Sequence, residues 1–230
     1  MSIAENIARV RANIAAAARE AGRKPEEITL VGASKMNGAA ACREAIAAGI
    51  DALGENRVQE MTAKLQENAY DGAPLHFIGH LQRNKVRQVV GRAALIQSAG
   101  SLELLEEIEK AAARLEMAQD ILLEVNIGEE EAKSGFLPGE LLSGAEAALE
   151  KAHIRVLGLM AIPPAGADRE ANLHYFDKVR ALFIDMDEKL FHNSFRVLSM
   201  GMSGDYEDAV RAGATMVRVG TAIFGSRHYT

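Results

Sequence analysis

The sequence predicts an α/β fold, a single (β/α)₈ barrel of the TIM type with an extra N-terminal helix. Three observations lead there. Eight short apolar segments recur along the chain, separated by longer stretches whose apolar residues fall at helical spacing. Its 230 residues are within the range of one such barrel. No Pro/Gly/Ser linker, charge run or low-complexity tract divides it, so residues 1–230 read as one domain. An open doubly wound sheet competes, but no G-x-G-x-x-G follows the first strand.

The opening stretch, MSIAENIARVRANIAAAAREAGR, is a helix by its own signals. Ser2 and Glu5 form a capping-box pair, Ile3, Ile7, Val10 and Ile14 share a face, and Gly22 and Pro25 end it. Strands follow at residues 28–33, 51–55, 75–80, 94–99, 121–127, 155–160, 196–200 and 215–220, rich in β-branched or aliphatic residues. Between them lie helical stretches such as AAACREAIAAG, SLELLEEIEKAAARLE, LPGELLSGAEAALEKA and NLHYFDKVRALFIDMDEKL. Leu102, Leu105, Ile108, Ala112 and Leu115 mark one apolar face, and Phe176, Val179, Phe183, Met186 and Leu190 another. The segments 44–56 and 208–222 echo each other, as two helix–strand units under the same capping rules would.

Composition narrows the function. Hydrophobic residues make up 48% and charged residues 25%, as in ordinary soluble domains. The net charge of −6 argues against a nucleic-acid partner, though not against a local phosphate site. Cys42 is the single cysteine, which excludes an intrachain disulfide and a cysteine-based zinc site, and the histidines lack metal-ligand spacing. The charged N-terminus is no signal peptide and no apolar run reaches membrane-spanning length, so the expected location is cytoplasmic, with no membrane partner.

Polar residues gather at the expected C-terminal ends of the strands, where barrel sites form. Ser34 and Lys35 follow the first strand, Glu55 and Asn56 the second, His80 the third and Asn126 the fifth. The seventh runs into Ser199–Ser203, and the eighth supplies Arg218, Gly220 and Thr221. Period two puts Met216, Arg218 and Gly220 on one face of the last strand and Val217 and Val219 on the other. Arg218 then points into the barrel mouth, either paired with a carboxylate such as Glu55 or aimed at a ligand; spacing alone does not choose.

The loop SMGMSGDYEDAVRAG, with Ser203 as expected helix N-cap, and GTAIFG after the last strand both suit a phosphate. Lys35 is a surfaced charge or an amine for a carbonyl. Together with a phosphate clamp it suits a Schiff base with a phosphorylated aldehyde or ketone. The residues do not separate pyridoxal phosphate from a sugar phosphate.

GASK (32–35), GENRVQE (54–60), HFIGHLQRNK (76–85), LLEVNIGEEEAKSG (122–135), GLMAIP (158–163), LSMGMSGD (198–205) and MVRVGTAIFG (216–225) go further. With these seven ordered motifs, spanning nearly its whole length, the chain resembles the pyridoxal phosphate homeostasis protein family, itself similar to the barrel domain of alanine racemase. The resemblance implies that Lys35 holds pyridoxal 5′-phosphate as a Schiff base. It places Arg218 by the pyridine nitrogen and Ser203, Gly220 and Thr221 at the phosphate, with Asn56 and His80 lining the pocket and Met200 packed close. Related B6 vitamers and apoenzymes needing the cofactor are the implied partners, and the chain is expected to be a monomer. Two departures sit at the pocket rim: Lys35-Met36-Asn37-Gly38 lacks the family's frequent proline, and Arg57 stands where an aromatic is common.

Three functions compete. A cofactor-holding protein for vitamin B6 homeostasis is preferred, with no catalytic residue assigned. A racemase is the alternative; it needs acid/base groups on both faces of the substrate carbon. In the alanine racemase relatives one group comes from an additional β domain, for which no room is seen after GTAIFG. Tyr206, Tyr229 and His80 are imaginable substitutes. A Schiff-base aldolase is the third.

Overall fold

The computed structural model describes residues 1–225, and all eight expected strands are present. In order they are β1 (Thr29–Ala33), β2 (Ala52–Glu55), β3 (Leu75–Phe77), β4 (Leu95–Ala99), β5 (Gln119–Val125), β6 (Ile154–Ala161), β7 (Val197–Ser199) and β8 (Met216–Val219). They close in sequence order into a parallel barrel, with β1 pairing both β2 and β8. The helices are α1 (Ile3–Glu20), α2 (Ala39–Ala47), α3 (Val58–Gln66), α4 (Leu102–Arg114), α5 (Leu141–Leu149), α6 (Arg169–Met186), α7 (Tyr206–Arg211) and α8 (Thr221–Phe224).

Local chemistry accounts for the ends. The Ser2–Glu5 capping box forms as expected, and α1 buries Ile7, Val10, Ile14, Ala17 and Ala18. It packs against α2, α7 and α8, so the extra helix covers the seam where the barrel closes. Residues 78–80 leave the third strand early. In the connection after β3 the chain makes only a 3-10 turn, Arg83–Gln88. Val86, Val89 and Val90 are buried there, β-branched residues are poor helix formers, and left-handed Gly91 stops the segment. The expected helix 172–190 instead spans α6 and a π-helical turn, Asp187–Phe191.

The strands bury both faces. Outward residues join the apolar layer beneath the helices, while Val31, Ala52, Leu95, Leu122, Met160 and Met216 fill the lumen. One pleat further toward the C-terminal ends, the inward positions turn polar: Gln97, Glu124, Ser199 and Arg218. That change of layer positions the site. Among the described residues no helix is long and apolar enough to cross a membrane, and no His/Cys/Asp/Glu group could hold a metal ion.

Candidate functional site

Lys35 stands in a turn directly after β1, half-buried. Asn37 N–H donates to the Ser34 carbonyl at 3.0 Å to close the turn, and Met36 takes a left-handed φ of 63°. The turn is held from behind. Lys64 Nζ, on α3, donates to the Ser34 carbonyl at 2.8 Å, to Glu55 Oε1 at 2.6 Å and to Glu60 Oε1 at 2.8 Å. Ser34 Oγ donates to Glu55 Oε1 at 2.5 Å, and Met36 N–H to Glu60 Oε1 at 2.5 Å. One buried charge network therefore grips the chain on both sides of Lys35.

This arrangement decides against one of the two alternatives left open for Arg218. Glu55 pairs with Lys64 and not with Arg218, because Ala52 faces the lumen and period two then turns Glu55 outward toward α3. Arg218 does face inward, with Val217 and Val219 in the outer layer as expected. Its Nη1 donates to Ser199 Oγ at 2.5 Å and its Nη2 to the Ala161 carbonyl at 3.0 Å. Burial pushes its pKa down to about 10, against the opposing pull of Glu124 and Asp205, so it stays a cation at neutral pH.

The Arg218 contact continues down the barrel. Ser199 Oγ donates to Gln97 Oε1 at 2.7 Å, which leaves Gln97 Nε2 to donate to His76 Nδ1 at 3.1 Å. His76 accepts as a neutral ring, since burial pushes its pKa down to about 4. A pH dependence follows. Between the ordinary 6.5 and about 4, the unfolded chain takes a proton at His76 that the native barrel refuses. Stability therefore falls with falling pH, by about 1.4 kcal/mol per pH unit for one proton. Urea unfolding between pH 7 and pH 4 should show a shallower loss in His76→Asn than in the wild type; parallel losses would refute this origin.

On the neighbouring side of β1 the loops after β7 and β8 meet. Ser203 is not a helix N-cap as expected: α7 starts three residues later, after Asp205. Instead Ser203 Oγ accepts from Gly220 N–H at 3.1 Å and Ala222 N–H at 3.4 Å, tying the two loops together. The N–H groups of Ser203, Gly204 and Thr221 donate to no described residue. Gly220 lies against β1, where an added Cβ would stand 3.4 Å from the Ala33 carbonyl.

The remaining expected residues divide. Asn56 and His80 line a cavity of about 540 Å³ at the mouth, with Glu124, Asn126 and Lys133. Asn56 Oδ1 is buried without a hydrogen-bond partner among the described residues. Gly79 is required there, since a Cβ would come within 2.3 Å of the Asn56 carbonyl. Asn126 holds its own loop, exchanging hydrogen bonds with the Glu130 backbone. Lys133 pairs with Glu130 at 3.0 Å and donates to the Pro163 carbonyl at 3.1 Å, straddling two loops over the mouth. Met200, expected beside a cofactor, packs in the apolar layer outside the barrel. Tyr206 is turned to α1, where its hydroxyl accepts from Asn13 Nδ2 at 2.9 Å. Tyr229 lies outside the described residues. Sequence reasoning missed Gln97, Glu124 and the Lys64 network. The period-two reading applied to β8 would have found the first two on β4 and β5.

The family profile described as "Alanine racemase, N-terminal domain" matches residues 6–228. A pyridoxal phosphate homeostasis protein of Aquifex aeolicus is 41% identical, with 100% of both chains covered. The structure of PipY from Synechococcus elongatus PCC7942, with PLP bound, is 32% identical over 97% of this chain and 100% of that one, at a TM-score of 0.84. Alanine racemase of Clostridium difficile 630 shares the fold: 16% identity over 88% of this chain and 56% of that one, at a TM-score of 0.73.

Proposed function

Because the chain belongs to the pyridoxal phosphate homeostasis protein family, we propose that it holds pyridoxal 5′-phosphate as a reversible Schiff base on Lys35, limiting the free aldehyde and serving vitamin B6 homeostasis. One observation carries this reading: the Lys35 turn follows β1, Thr221 follows its hydrogen-bonded neighbour β8, and Ser203 ties the β7 loop to that of β8, bringing together donors without a partner among the described residues. A single compact ligand with an aldehyde at one end and an anion at the other suits that spacing.

The residues fit the cofactor. The N–H groups of Ser203, Gly204 and Thr221, with the Thr221 hydroxyl, form a donor set for a phosphate dianion. Gly220 keeps that loop close to β1. The orphaned Asn56 Oδ1 is an acceptor suited to the ring hydroxyl. Bound pyridoxal phosphate supplies an electrophilic aldehyde. Arg218, held by Ser199 and the Ala161 carbonyl, can only donate, so beside the ring nitrogen it would discourage protonation and weaken the electron sink. That favours holding over turnover, with apoenzymes as the recipients and a monomer as the working unit.

Titration with pyridoxal phosphate and with pyridoxal tests the reading. The phosphate ester should bind far more tightly and give a visible band, and Ser203→Ala should weaken it about tenfold while leaving pyridoxal unaffected. Equal affinity for the two aldehydes refutes the clamp. Efficient racemization of any amino acid by the loaded protein would move it to the enzymes.

A further inference from the structure

Within the inward polar layer, Glu124 is the charged group for which the carrier reading has no use. It is 8% exposed on β5, four strands from β1 around the barrel, and its carboxylate lines the mouth cavity with Asn56, His80 and Lys133. Ser134 Oγ donates to Oε2 at 3.0 Å, and no described residue donates to Oε1. The charged or titratable groups facing it are His80 after β3, Arg218 on β8 and Lys133 in the β5–α5 loop; none forms an ion pair with it among the described residues. Burial pushes its pKa up, and Ser134, His80, Arg218 and Lys133 only partly reverse that. Glu124 thus takes a proton more readily than an exposed glutamate does.

We propose that Glu124 is the proton acceptor for a primary amine that enters the mouth and takes the cofactor from Lys35. This rests on the carrier reading and adds its release step. An aliphatic amine arrives as an ammonium, with no lone pair to attack a carbon. Passing one proton to the Glu124 carboxylate frees that pair. The incoming nitrogen then bonds to the carbon of the protonated Schiff base and passes one proton to Lys35 Nζ, the bond from that carbon to Nζ breaks, and Lys35 leaves as the free amine while Glu124 returns its proton to solvent. One amine replaces another, and nothing is oxidised or reduced. The mouth cavity of about 540 Å³ admits an amino acid or an extended lysine side chain.

Stopped-flow visible spectroscopy of the protein loaded with pyridoxal phosphate tests this. Glycine and a lysine-containing peptide are the protonated amines, and methoxyamine, largely unprotonated at neutral pH, needs no base. Glu124→Gln should slow transfer to glycine, to the peptide or to both by at least about tenfold, with methoxyamine unchanged and Glu124→Asp partly restored. The slowed arm names the natural source of the amine. A second measurement needs no variant. Carbon-13 titration of Glu124 in cofactor-free protein should give a midpoint above that of an exposed glutamate. At fixed total glycine the wild-type rate should be level above that midpoint and fall below it, while the methoxyamine rate does not fall. Equal slowing of all amines by Glu124→Gln, or no inflection in the glycine rate, overturns the proposal alone. A wild type that takes up no pyridoxal phosphate overturns the carrier reading with it.

Discussion

Replacing Lys35 with alanine should abolish covalent retention of pyridoxal phosphate and leave the barrel folded. The side chain sits half-buried in a turn outside the strand, and the Ser34 and Met36 contacts that hold the turn come from the backbone and from neighbours. Those contacts remain in the variant, so the barrel should still fold. The chemistry is lost outright, because an imine needs a primary amine at that place and the substitution removes it. Borohydride reduction followed by intact-mass measurement should give a cofactor adduct in the wild type and none in Lys35→Ala, with the visible band lost in parallel. An adduct of wild-type yield in the variant, mapped to Lys64 or Lys133, would transfer the role to that residue and refute the assignment.

The architecture was legible because its signals are local. Eight β-rich segments, a capping box at Ser2 and an uninterrupted alternation needed no tertiary information, and the closed eight-stranded barrel agrees. The polar strand ends were legible for the same reason: barrel geometry sends them to one rim whatever the loops do. Four things were not. Ser203 looked like an N-cap because serine followed by an apolar helical pattern is the usual cap signal; its hydroxyl is used seventeen positions away, on Gly220. Whether Arg218 pairs with Glu55 or faces a ligand was left open, because both residues lie at strand ends. Which face each takes depends on the register within its own strand, and β2 turns Glu55 away from the lumen. Met200 follows the inward Ser199, so the same alternation sends it into the outer layer. The Lys64 network was invisible for a further reason, since a lysine on a helix is most often a solvated charge.

That network supports the prediction with the largest effect on stability. Lys64→Met should destabilise the protein by about 3–5 kcal/mol, the range for removing one partner of a buried ion pair. Glu55 is fully buried at 0% exposure, and Lys64 is its single cationic partner among the described residues. Burial alone would pull the Lys64 ammonium down in pKa, but Glu55 and Glu60 more than reverse this, so the wild-type lysine stays charged. Without it the Glu55 carboxylate has the Ser34 hydroxyl and no counter-charge, and the Ser34 carbonyl loses a donor. The sign of the pH dependence follows. An unpaired buried carboxylate has a native pKa above its unfolded value, so the native variant holds the extra proton between the two. Its stability then rises as pH falls through that window, and the deficit against wild type should narrow toward acid pH. Adding Glu55→Gln removes the orphaned charge and should recover a large part of the loss. Urea midpoints for the wild type, the single and the double variant, at pH 7.5 and pH 5.5, check both statements; a deficit independent of pH and unrelieved by Glu55→Gln would mean packing, not charge, is lost. Because the same groups grip Ser34 and Met36, Lys64→Met should also loosen the Lys35 turn and weaken cofactor uptake even where the variant is fully folded. Through that contact, a charge pair beneath the barrel rim sets the position of the amine above it.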